Sequence, residues 1–273
     1  MPETRDGSGG SPSPLSVMSF NLRYDCADSP PGHPDHWPDR APLLAELVSA
    51  ERPVLLGVQE PLFAQLAVIA DALPGHRAVG MGRGGGSRSE HSSVFYDADR
   101  LRLTGWDQQW LSDTPYTIGS TSWGNELPRI LVRCDFTDTV SGAAFTMVNT
   151  HLDHVSEEAR RRSAELIADI VATADVPVIV TGDFNCAAGS AAAWRVLTGA
   201  GLVDSWLTAQ RHDSADLATW HGYRTPEPGG MRIDWVLVSP EVEVRSTTVN
   251  TWNSAGRWPS DHCPVQAELV LPG

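Results

Sequence analysis

Polar clusters at the ends of strand-like hydrophobic runs are the feature of this sequence that most constrains its fold. The runs 15–20, 54–58, 145–148 and 176–180 have the composition of buried β-strands. Strand ends and the loops that follow them are where α/β proteins commonly carry their chemistry. We therefore expect a fold that gathers several strand ends at one polar site. In chain order the clusters are Asn21, Glu60, His151 with Asp153, Asp183 with Asn185, Asp234, and Asp261 with His262.

The segments between these runs alternate between helical and strand periodicity. The apolar spacing across 43–48 predicts a helix that ends before Pro53, and 62–73 predicts a second helix. The clearest helix is predicted over 156–171, with Ser156 as a favourable N-cap and acidic residues in the first turn. Local hairpins mixed with helical crossovers predict an α/β (α+β) domain with at least one largely antiparallel sheet.

Length and composition indicate one folded unit. A chain of 273 residues with 41% hydrophobic residues can bury a full core. Residues 1–14, rich in Pro, Gly and Ser, lack the apolar core of a secretory signal, and we interpret them as a disordered leader. No apolar run approaches the roughly 18 residues that span a bilayer. The four cysteines contain no Cys-x-x-Cys pair and are expected to be reduced thiols in a cytoplasmic, monomeric protein.

The charge balance bears on possible partners. A formal net charge of −14, from 34 acidic and 20 basic residues, disfavours a protein that gains affinity by neutralising many nucleic-acid phosphates. Nucleic acid stays possible as a partner, because arginines at 83, 88, 129 and 133 could form a local basic rim.

The residue types in the clusters indicate a reaction class. Carboxylates, an amide and two imidazoles can hold a hard divalent cation, activate water and stabilise charge on a phosphoryl group. A zinc hydrolase is disfavoured, because 151–154 lacks the His-Glu-x-x-His pattern and the other candidate ligands are mostly oxygens. These residues therefore predict hydrolysis of a phosphoester.

Seven short motifs follow one another in an order that carries more information than any one of them. They are Ser19-Phe-Asn-Leu-Arg, Gly57-Val-Gln-Glu, Val94-Phe-Tyr, Asn149-Thr-His-Leu-Asp, Gly182-Asp-Phe-Asn, Arg232-Ile-Asp-Trp-Val and Ser260-Asp-His-Cys-Pro-Val. This order and spacing resemble the endonuclease/exonuclease/phosphatase (DNase I-like) superfamily over about residues 15–271. The resemblance implies a four-layer α/β/β/α sandwich of two packed, mixed and largely antiparallel sheets. It also implies that 15–273 form a single catalytic domain with the site at one edge.

The resemblance implies a metal centre. Glu60 would be the main ligand of Mg²⁺ or Mn²⁺, with Asn21 and Asp261 beside it, since Mg²⁺ prefers a few oxygen ligands together with water and substrate oxygen. Taken alone, Glu60 would be interpreted as a solvated acid at a strand end, because exposed glutamate is the common case. The accompanying motifs favour the metal ligand.

The resemblance also implies catalytic roles. Asp183 would orient or deprotonate the attacking water, helped by Asn185. Asp234 would hold His262 in one tautomer, while His151 would stabilise the developing charge. The competing interpretation of the two histidines is a structural one, but each has an acid within two residues. A lone carboxylate such as Asp234 in an apolar strand is costly unless it is paired.

Substrate contacts are predicted less uniquely. Arg129 and Arg23 are candidates for binding phosphate, because a guanidinium group suits bidentate contacts with an oxyanion. The alternative for each arginine is a surface ion pair. Tyr96 lies where some relatives place a phosphate-contacting tyrosine, and core packing is the alternative. Asp153 has either a role particular to a subgroup or a bond to backbone. The glycine-rich 82–86 is interpreted as a flexible hairpin, since it lacks the Gly-Lys-Ser/Thr ending of an NTPase loop.

The sequence thus predicts a Mg²⁺- or Mn²⁺-dependent hydrolase of a small-molecule or lipid-like phosphoester, acting by in-line attack of water. One alternative is a DNA or RNA endonuclease or exonuclease on the same scaffold. Another is a catalytically silent binding protein, which is disfavoured because the whole set of site residues is present. Monoester and diester cleavage, one or two metal ions, and the physiological substrate all stay open at this stage.

Overall fold

Two β-sheets packed face to face form the centre of the protein. The computed structural model describes residues 14–272, so the predicted leader lies outside the described residues except for Pro14. The first sheet contains β1 (Leu15–Asn21), β2 (Leu55–Gln59), β3 (His76–Val79), β4 (Val94–Asp97), β10 (Arg211–His212), β12 (Glu243–Val249) and β13 (Val265–Val270), in the order β10-β12-β13-β1-β2-β4-β3. The second contains β5 (Leu101–Trp110), β6 (Ile130–Asp138), β7 (Ala144–His151), β8 (Val178–Asp183), β9 (Val203–Asp204) and β11 (Asp234–Val238), in the order β5-β6-β7-β8-β11-β9.

Most neighbouring strands in both sheets run antiparallel. Within the described chain the parallel pairs are β1 with β2, β7 with β8, and β10 with β12. Two of these pairs follow helical crossovers, as parallel strands require a long connection. The prediction of mixed, largely antiparallel sheets is confirmed.

Helices cover the outer face of each sheet. α1 (Trp37–Glu51) and α2 (Phe63–Ala72) pack on the first sheet, while α3 (Glu157–Thr173) and α4 (Ala192–Gly199) pack on the second. The short α5 (Ser205–Thr208) follows β9. Because strand side chains alternate between faces, Val17 and Leu55 enter the core between the sheets, whereas Met18 and Leu56 pack under α1 and α2. The four-layer α/β/β/α sandwich is therefore confirmed.

A buried amide ties the two sheets together beneath the strand ends. Asn149 Oδ1 accepts hydrogen bonds from Gln59 Nε2 at 2.8 Å and from Thr181 Oγ1 at 2.9 Å. Its Nδ2 donates to the Val58 carbonyl at 2.9 Å. A Cβ at Gly57 would lie 2.4 Å from Thr181 Oγ1, so the sheets can approach this closely only where that position carries no side chain. This network fixes the spacing of the sheets directly below the polar clusters.

All four cysteines are unpaired. Burial raises the pKa of the thiols of Cys134 and Cys263 to about 12, so both are protonated at neutral pH. Among residues 14–272, no helix is long and apolar enough to cross a membrane.

Candidate active site

The topology brings the predicted polar clusters to one edge of the sandwich. β1 and β2 pair in parallel up to their last residues, so Asn21 and Glu60 leave the first sheet side by side. In the second sheet β7 and β8 are also parallel and pair His151 with Asp183. β11 runs antiparallel to β8 and places Asp234 opposite Asp183. His151, Asp183 and Asp234 thus form one row across three neighbouring strands.

The clusters meet in a cavity of about 680 Å³. This volume is within the usual range of small-molecule sites. A separate cavity of about 360 Å³ beside α1 is lined by none of the clustered residues. The residue types that line the larger cavity therefore identify it as the candidate active site. Residues that line the larger cavity, called the active-site cavity below, include Glu60, Asp183, Asp261, Arg83, Arg129 and His151.

Glu60 and Asn21 are held rigidly at the ends of their strands. Glu60 has a left-handed backbone with φ 72°, which is uncommon for a residue other than glycine and is often found at functional sites. Its carboxylate accepts hydrogen bonds from Asn21 Nδ2 at 2.9 Å and from the Tyr24 amide at 3.1 Å. Asn21 Nδ2 also donates to Asp183 Oδ2 at 2.9 Å, while its Oδ1 accepts from the Arg23 amide. The amide nitrogen of Asn21, rather than the oxygen expected of a metal ligand, faces the carboxylates and aligns them.

The donor atoms at this edge fit a divalent cation. One ligand atom from each of Glu60, His151 and Asp183 lies within 4.8 Å of the others, and the same holds for Asp183, Asp234 and His262. Burial, followed by the charge of Asp234, raises the pKa of Asp183 to about 7. Asp234 Oδ1 is buried without a hydrogen-bond partner. Buried carboxylates that lack enough neighbouring positive charge are the environment that a bound cation stabilises.

Asp261 lies at the mouth of this cluster rather than within it. It belongs to neither group of close ligand atoms, but it lines the active-site cavity. Its Oδ2 accepts a hydrogen bond from Trp220 Nε1 at 3.2 Å. Ser260 Oγ donates to the Asn21 carbonyl at 2.6 Å, which fixes the loop that carries Asp261 to the end of β1.

His262 forms a buried pair with Asp234. The distance between His262 Nδ1 and Asp234 Oδ2 is 2.9 Å, and His262 Nε2 lies 3.8 Å from Asp183 Oδ2. Burial alone would lower the pKa of His262, but the charge and hydrogen bond of Asp234, followed by the charges of Asp183 and Asp261, raise it. The ring is therefore protonated at neutral pH, with Nδ1 donating to Asp234 and Nε2 directed toward Asp183.

His151 is neutral and is oriented by Asn185. Burial, followed by the positive charges of Arg129 and Arg83, lowers the pKa of His151 well below its usual value. The side-chain Nδ2 of Asn185 donates to His151 Nε2 at 2.9 Å, and the backbone amide of Asn185 donates to Asp183 Oδ1 at 2.8 Å. Asn185 has a left-handed backbone with φ 51°, a second uncommon conformation within the site. This one residue positions both the imidazole and the carboxylate.

Arg129 lines the same cavity and is only 4% exposed. Its Nη2 donates to His154 Nδ1 at 2.8 Å, and its Nε lies 3.5 Å from Asp153 Oδ2. Asp153 Oδ1 accepts from the amides of Val155 and Ser156, at 3.0 and 2.7 Å. Of the two roles that the sequence left open for Asp153, bonding to backbone is the one observed, and it also holds Arg129. Arg129 is a buried arginine in the cavity wall rather than a surface ion pair.

The glycine-rich segment is a compact turn rather than a flexible hairpin. The Gly82 amide donates to the Gly86 carbonyl at 2.7 Å, and the Gly84 amide donates to the Arg88 carbonyl at 3.1 Å. A Cβ on Gly82 would lie 2.0 Å from the Arg88 carbonyl oxygen, so this close approach requires glycine. The backbone amides of Gly82 and Gly84 therefore form hydrogen bonds within the turn. The segment contributes the side chain of Arg83 to the site.

Arg83 and Glu90 are a buried pair whose role the sequence did not reveal. Arg83 is 7% exposed, and its Nη2 donates to Glu90 Oε1 at 2.6 Å. Burial raises the pKa of Glu90 to about 7, although the charge of Arg83 opposes this shift. Trp110 Nε1 donates to the Arg83 carbonyl at 2.8 Å and fixes the backbone. The sequence indicated Arg83 as one member of a local basic rim, but it did not indicate the pairing with Glu90, because a glycine-flanked arginine near a glutamate is common in surface turns.

The two remaining predicted substrate contacts have different positions. Arg23 lines the active-site cavity, where its Nη2 lies 3.1 Å from Asp35 Oδ2 and its Nη1 lies 3.9 Å from Glu60 Oε2. Tyr96 does not line the cavity. It is 5% exposed, and its ring centroid lies 5.1 Å from that of Phe136 in the core between the sheets. The prediction that Tyr96 contacts substrate is therefore wrong, and core packing is the observed alternative.

Comparison with known proteins places this arrangement among phosphoester hydrolases. The sequence model of the Endonuclease/Exonuclease/phosphatase family matches residues 18–262. The crystal structure of an endonuclease/exonuclease/phosphatase from Bacteroides vulgatus is 30% identical with a TM-score of 0.87, covering 95% of this chain and 100% of that one. A mannosyl-6-phosphatase from Bacteroides thetaiotaomicron is 31% identical with a TM-score of 0.85, covering 94% and 100%. An uncharacterized protein of Acanthamoeba polyphaga mimivirus is 28% identical over 160 residues, 55% of this chain and 59% of the viral protein.

Proposed function

This chain belongs to the endonuclease/exonuclease/phosphatase family, a family of phosphoester hydrolases, and on that premise we propose that it cleaves phosphoesters of small polar molecules with a bound Mg²⁺ or Mn²⁺. The observation that carries the proposal is the row of His151, Asp183 and Asp234. His262 pairs with the buried Asp234, and the cavity is lined by Glu60, His151, Asp183 and His262. Such a set contains a proton acceptor, a charged donor and oxygen ligands within reach of one phosphoryl group.

Different residues of this chain have different roles in hydrolysis. Asp183, aligned by hydrogen bonds from Asn21 and Asn185, accepts a proton from the attacking water. His262, kept protonated and oriented by Asp234, stabilises the negative charge that develops on the phosphoryl oxygens. A divalent ion held by Glu60, with Asp261 nearby, would supply Lewis acidity at a phosphoryl oxygen. The bond between phosphorus and the alcohol oxygen breaks as the bond to the water oxygen forms, and the departing alcohol oxygen takes up a proton from solvent water.

Positive charge on the other part of the cavity wall suits a phosphate. Arg129 and Arg83 both line the cavity and are close enough to His151 to lower its pKa. Guanidinium groups bind phosphate oxygens through paired, charge-assisted hydrogen bonds. We propose that Arg129 contacts the phosphoryl group directly, with Asp153 and His154 keeping it in place.

A small substrate agrees better with the charge of the protein than a nucleic acid does. The net charge of −14 opposes a long contact with a polyanion, whereas the cavity offers local arginines to one phosphate. The mannosyl-6-phosphatase among the similar structures supports a sugar-like phosphoester for this chain. We further propose that 15–273 act as one catalytic domain, supported by the continuous family match, and as a cytoplasmic monomer, which rests on composition alone.

A salt-dependent substrate panel tests the proposed function. We would measure kcat/KM with added Mg²⁺ on plasmid DNA, single-stranded RNA, and sugar, inositol and lipid phosphoesters at about 50 and 200 mM salt. The proposal predicts turnover of a small ester that varies little between the two salt concentrations. Efficient DNA or RNA cleavage that collapses over this range, with negligible turnover of small esters, would instead support the nuclease alternative. No hydrolysis of any ester by the folded protein would support the silent binding protein.

A further inference from the structure

A second cavity adjoins the active-site cavity and has no role in the mechanism above. Its volume is about 330 Å³, and it shares the side chains of Trp220 and Ile233 with the active-site cavity. The residues that line this second cavity but not the active-site cavity include Ala218, His221, Arg224, Thr225, Glu227 and Met231. A molecule bound with its phosphoryl group near Asp183 therefore has space for its remaining part beyond Trp220. We call this space the leaving-group pocket.

Trp220 forms a fixed aromatic wall between the two cavities. Its side chain is 48% exposed, which is unusual for a residue tied so closely to a buried site. Trp220 Nε1 donates to Asp261 Oδ2 at 3.2 Å, and an isolated β-bridge joins Trp220 to His262. The indole is thus held by the residues next to the reacting groups, and it offers an apolar surface at a defined position.

His221 supplies an unused polar group to the leaving-group pocket. The side chain is 5% exposed, and both ring nitrogens are buried without a hydrogen-bond partner. The backbone of Arg224 and of His262 lies near enough to influence the ring, but neither makes a hydrogen bond of ordinary geometry. A buried imidazole without partners costs free energy, and because His221 lines the cavity, a ligand that draws the ring toward it can complete its hydrogen bonds.

The ring of His221 packs against an aromatic side chain. Its centroid lies 4.5 Å from that of Trp258, and its backbone amide donates to the Asp261 carbonyl at 2.9 Å. A neutral imidazole offers one donor and one acceptor. A hydroxyl group, which is both donor and acceptor, is the natural complement of such a ring.

The chemistry of the pocket identifies one class of occupant. The lining of the pocket combines the apolar side chains of Trp220, Met231 and Ile233 with polar side chains that include Thr225 and Glu227. A sugar-like ring has the matching surfaces, because its C–H face packs on an aromatic side chain while its hydroxyls bond to imidazole, hydroxyl and carboxylate groups. We propose that the leaving-group pocket binds the polyhydroxyl alcohol of a phosphomonoester while the phosphoryl group lies in the active-site cavity. This inference rests on the proposed function.

The test compares two monoesters that share a phosphoryl group and differ in the alcohol. We would measure kcat and KM with added Mg²⁺ for a hexose 6-phosphate and for methyl phosphate, in the unmodified protein and in three variants. The variants are His221→Phe, Glu227→Gln and Trp106→Ala. Trp106 on β5 is 47% exposed and lines neither cavity, so Trp106→Ala is the control for a substitution outside both cavities.

The expected result is a change in selectivity. The unmodified protein should have a higher kcat/KM for the hexose ester than for methyl phosphate. His221→Phe should reduce the ratio of these two kcat/KM values about tenfold, which is the effect of one or two lost hydrogen bonds. The reduction should come from a higher KM for the hexose ester. Glu227 is exposed, so Glu227→Gln cannot disturb the core. This substitution should reduce the ratio of kcat/KM values by a smaller factor. Trp106→Ala should not change it. Free hexose should inhibit the unmodified protein competitively and inhibit His221→Phe more weakly.

Thermal unfolding separates binding from a structural role of His221. Because the imidazole has no partner in the described protein, His221→Phe should keep or raise Tm. A fall in Tm of several degrees would show a structural histidine and overturn the inference. Hydrolysis of both esters without preference, or unchanged selectivity in a stable His221→Phe and in Glu227→Gln, would also overturn it. Absence of hydrolysis of both esters would contradict the proposed function itself.

Discussion

Replacing Asp183 with Asn is expected to lower kcat by about 10²–10⁴-fold, because general acid–base groups contribute factors of this size. Asn has nearly the same shape as Asp, and its one carbonyl oxygen can still accept the hydrogen bond from the Asn185 backbone amide, whereas the NH2 group that replaces Oδ2 cannot accept the hydrogen bond from Asn21. The Asn side chain cannot accept a proton from water. Turnover of a small phosphoester at saturating Mg²⁺, together with circular dichroism, would measure the loss of activity and the retention of the fold.

The control for this substitution is Asp169→Asn, at an exposed position on α3 far from the cavity. It should change neither kcat nor Tm. A well-folded Asp183→Asn protein with at least half of the original kcat would show that another group activates the water.

The second large effect is expected at the buried pair of Asp234 and His262. His262→Ala should lower kcat by about 10² or more, and Asp234→Asn should approach that loss, since an amide stabilises neither the orientation nor the positive charge of the ring. The Asp234 side chain is fully buried, and its Oδ2 contacts His262 Nδ1 at 2.9 Å. The reduction in kcat is the measurement, with Tm recorded to verify folding.

The double variant distinguishes positioning from an independent role. If Asp234 acts through the imidazole, Asp234→Asn combined with His262→Ala should be no slower than His262→Ala alone, because residues that act as a unit are strongly non-additive. Multiplicative losses in the double variant would show that Asp234 contributes separately. A kinetically silent, well-folded Asp234→Asn would show that the proposed orientation of His262 is wrong.

The sequence was most informative about the strands and the polar residues at their ends. Hydrophobic runs located β1, β2, β7 and β8 to within a few residues, and parallel pairing then brought Asn21 beside Glu60 and His151 beside Asp183. Short elements such as β3, β9 and β10 were not predicted, because two to four residues show no usable periodicity. Their positions depend on strands that are distant in sequence.

Side-chain direction was harder to predict than position along the chain. Tyr96 follows the motif expected of a phosphate contact, yet strand alternation turns Val94 and Tyr96 inward and leaves Phe95 under the helices. Asn21 lies where predicted, but the orientation of its amide depends on which neighbours need a donor. Arg83 reaches the cavity only because the glycine-rich turn folds back on itself. Each of these outcomes depends on tertiary contacts that no local pattern encodes.

Metal dependence tests the central claim most directly. The protein would be dialysed exhaustively against EDTA, and hydrolysis of a small phosphoester would be measured before and after adding Mg²⁺, Mn²⁺ or Ca²⁺, for the unmodified protein and for Glu60→Gln. We expect no turnover in EDTA and recovery with Mg²⁺ or Mn²⁺ that exceeds recovery with Ca²⁺, whose looser coordination positions oxygens less tightly. Glu60→Gln should need more metal for the same recovery. Full activity in excess EDTA would contradict the account.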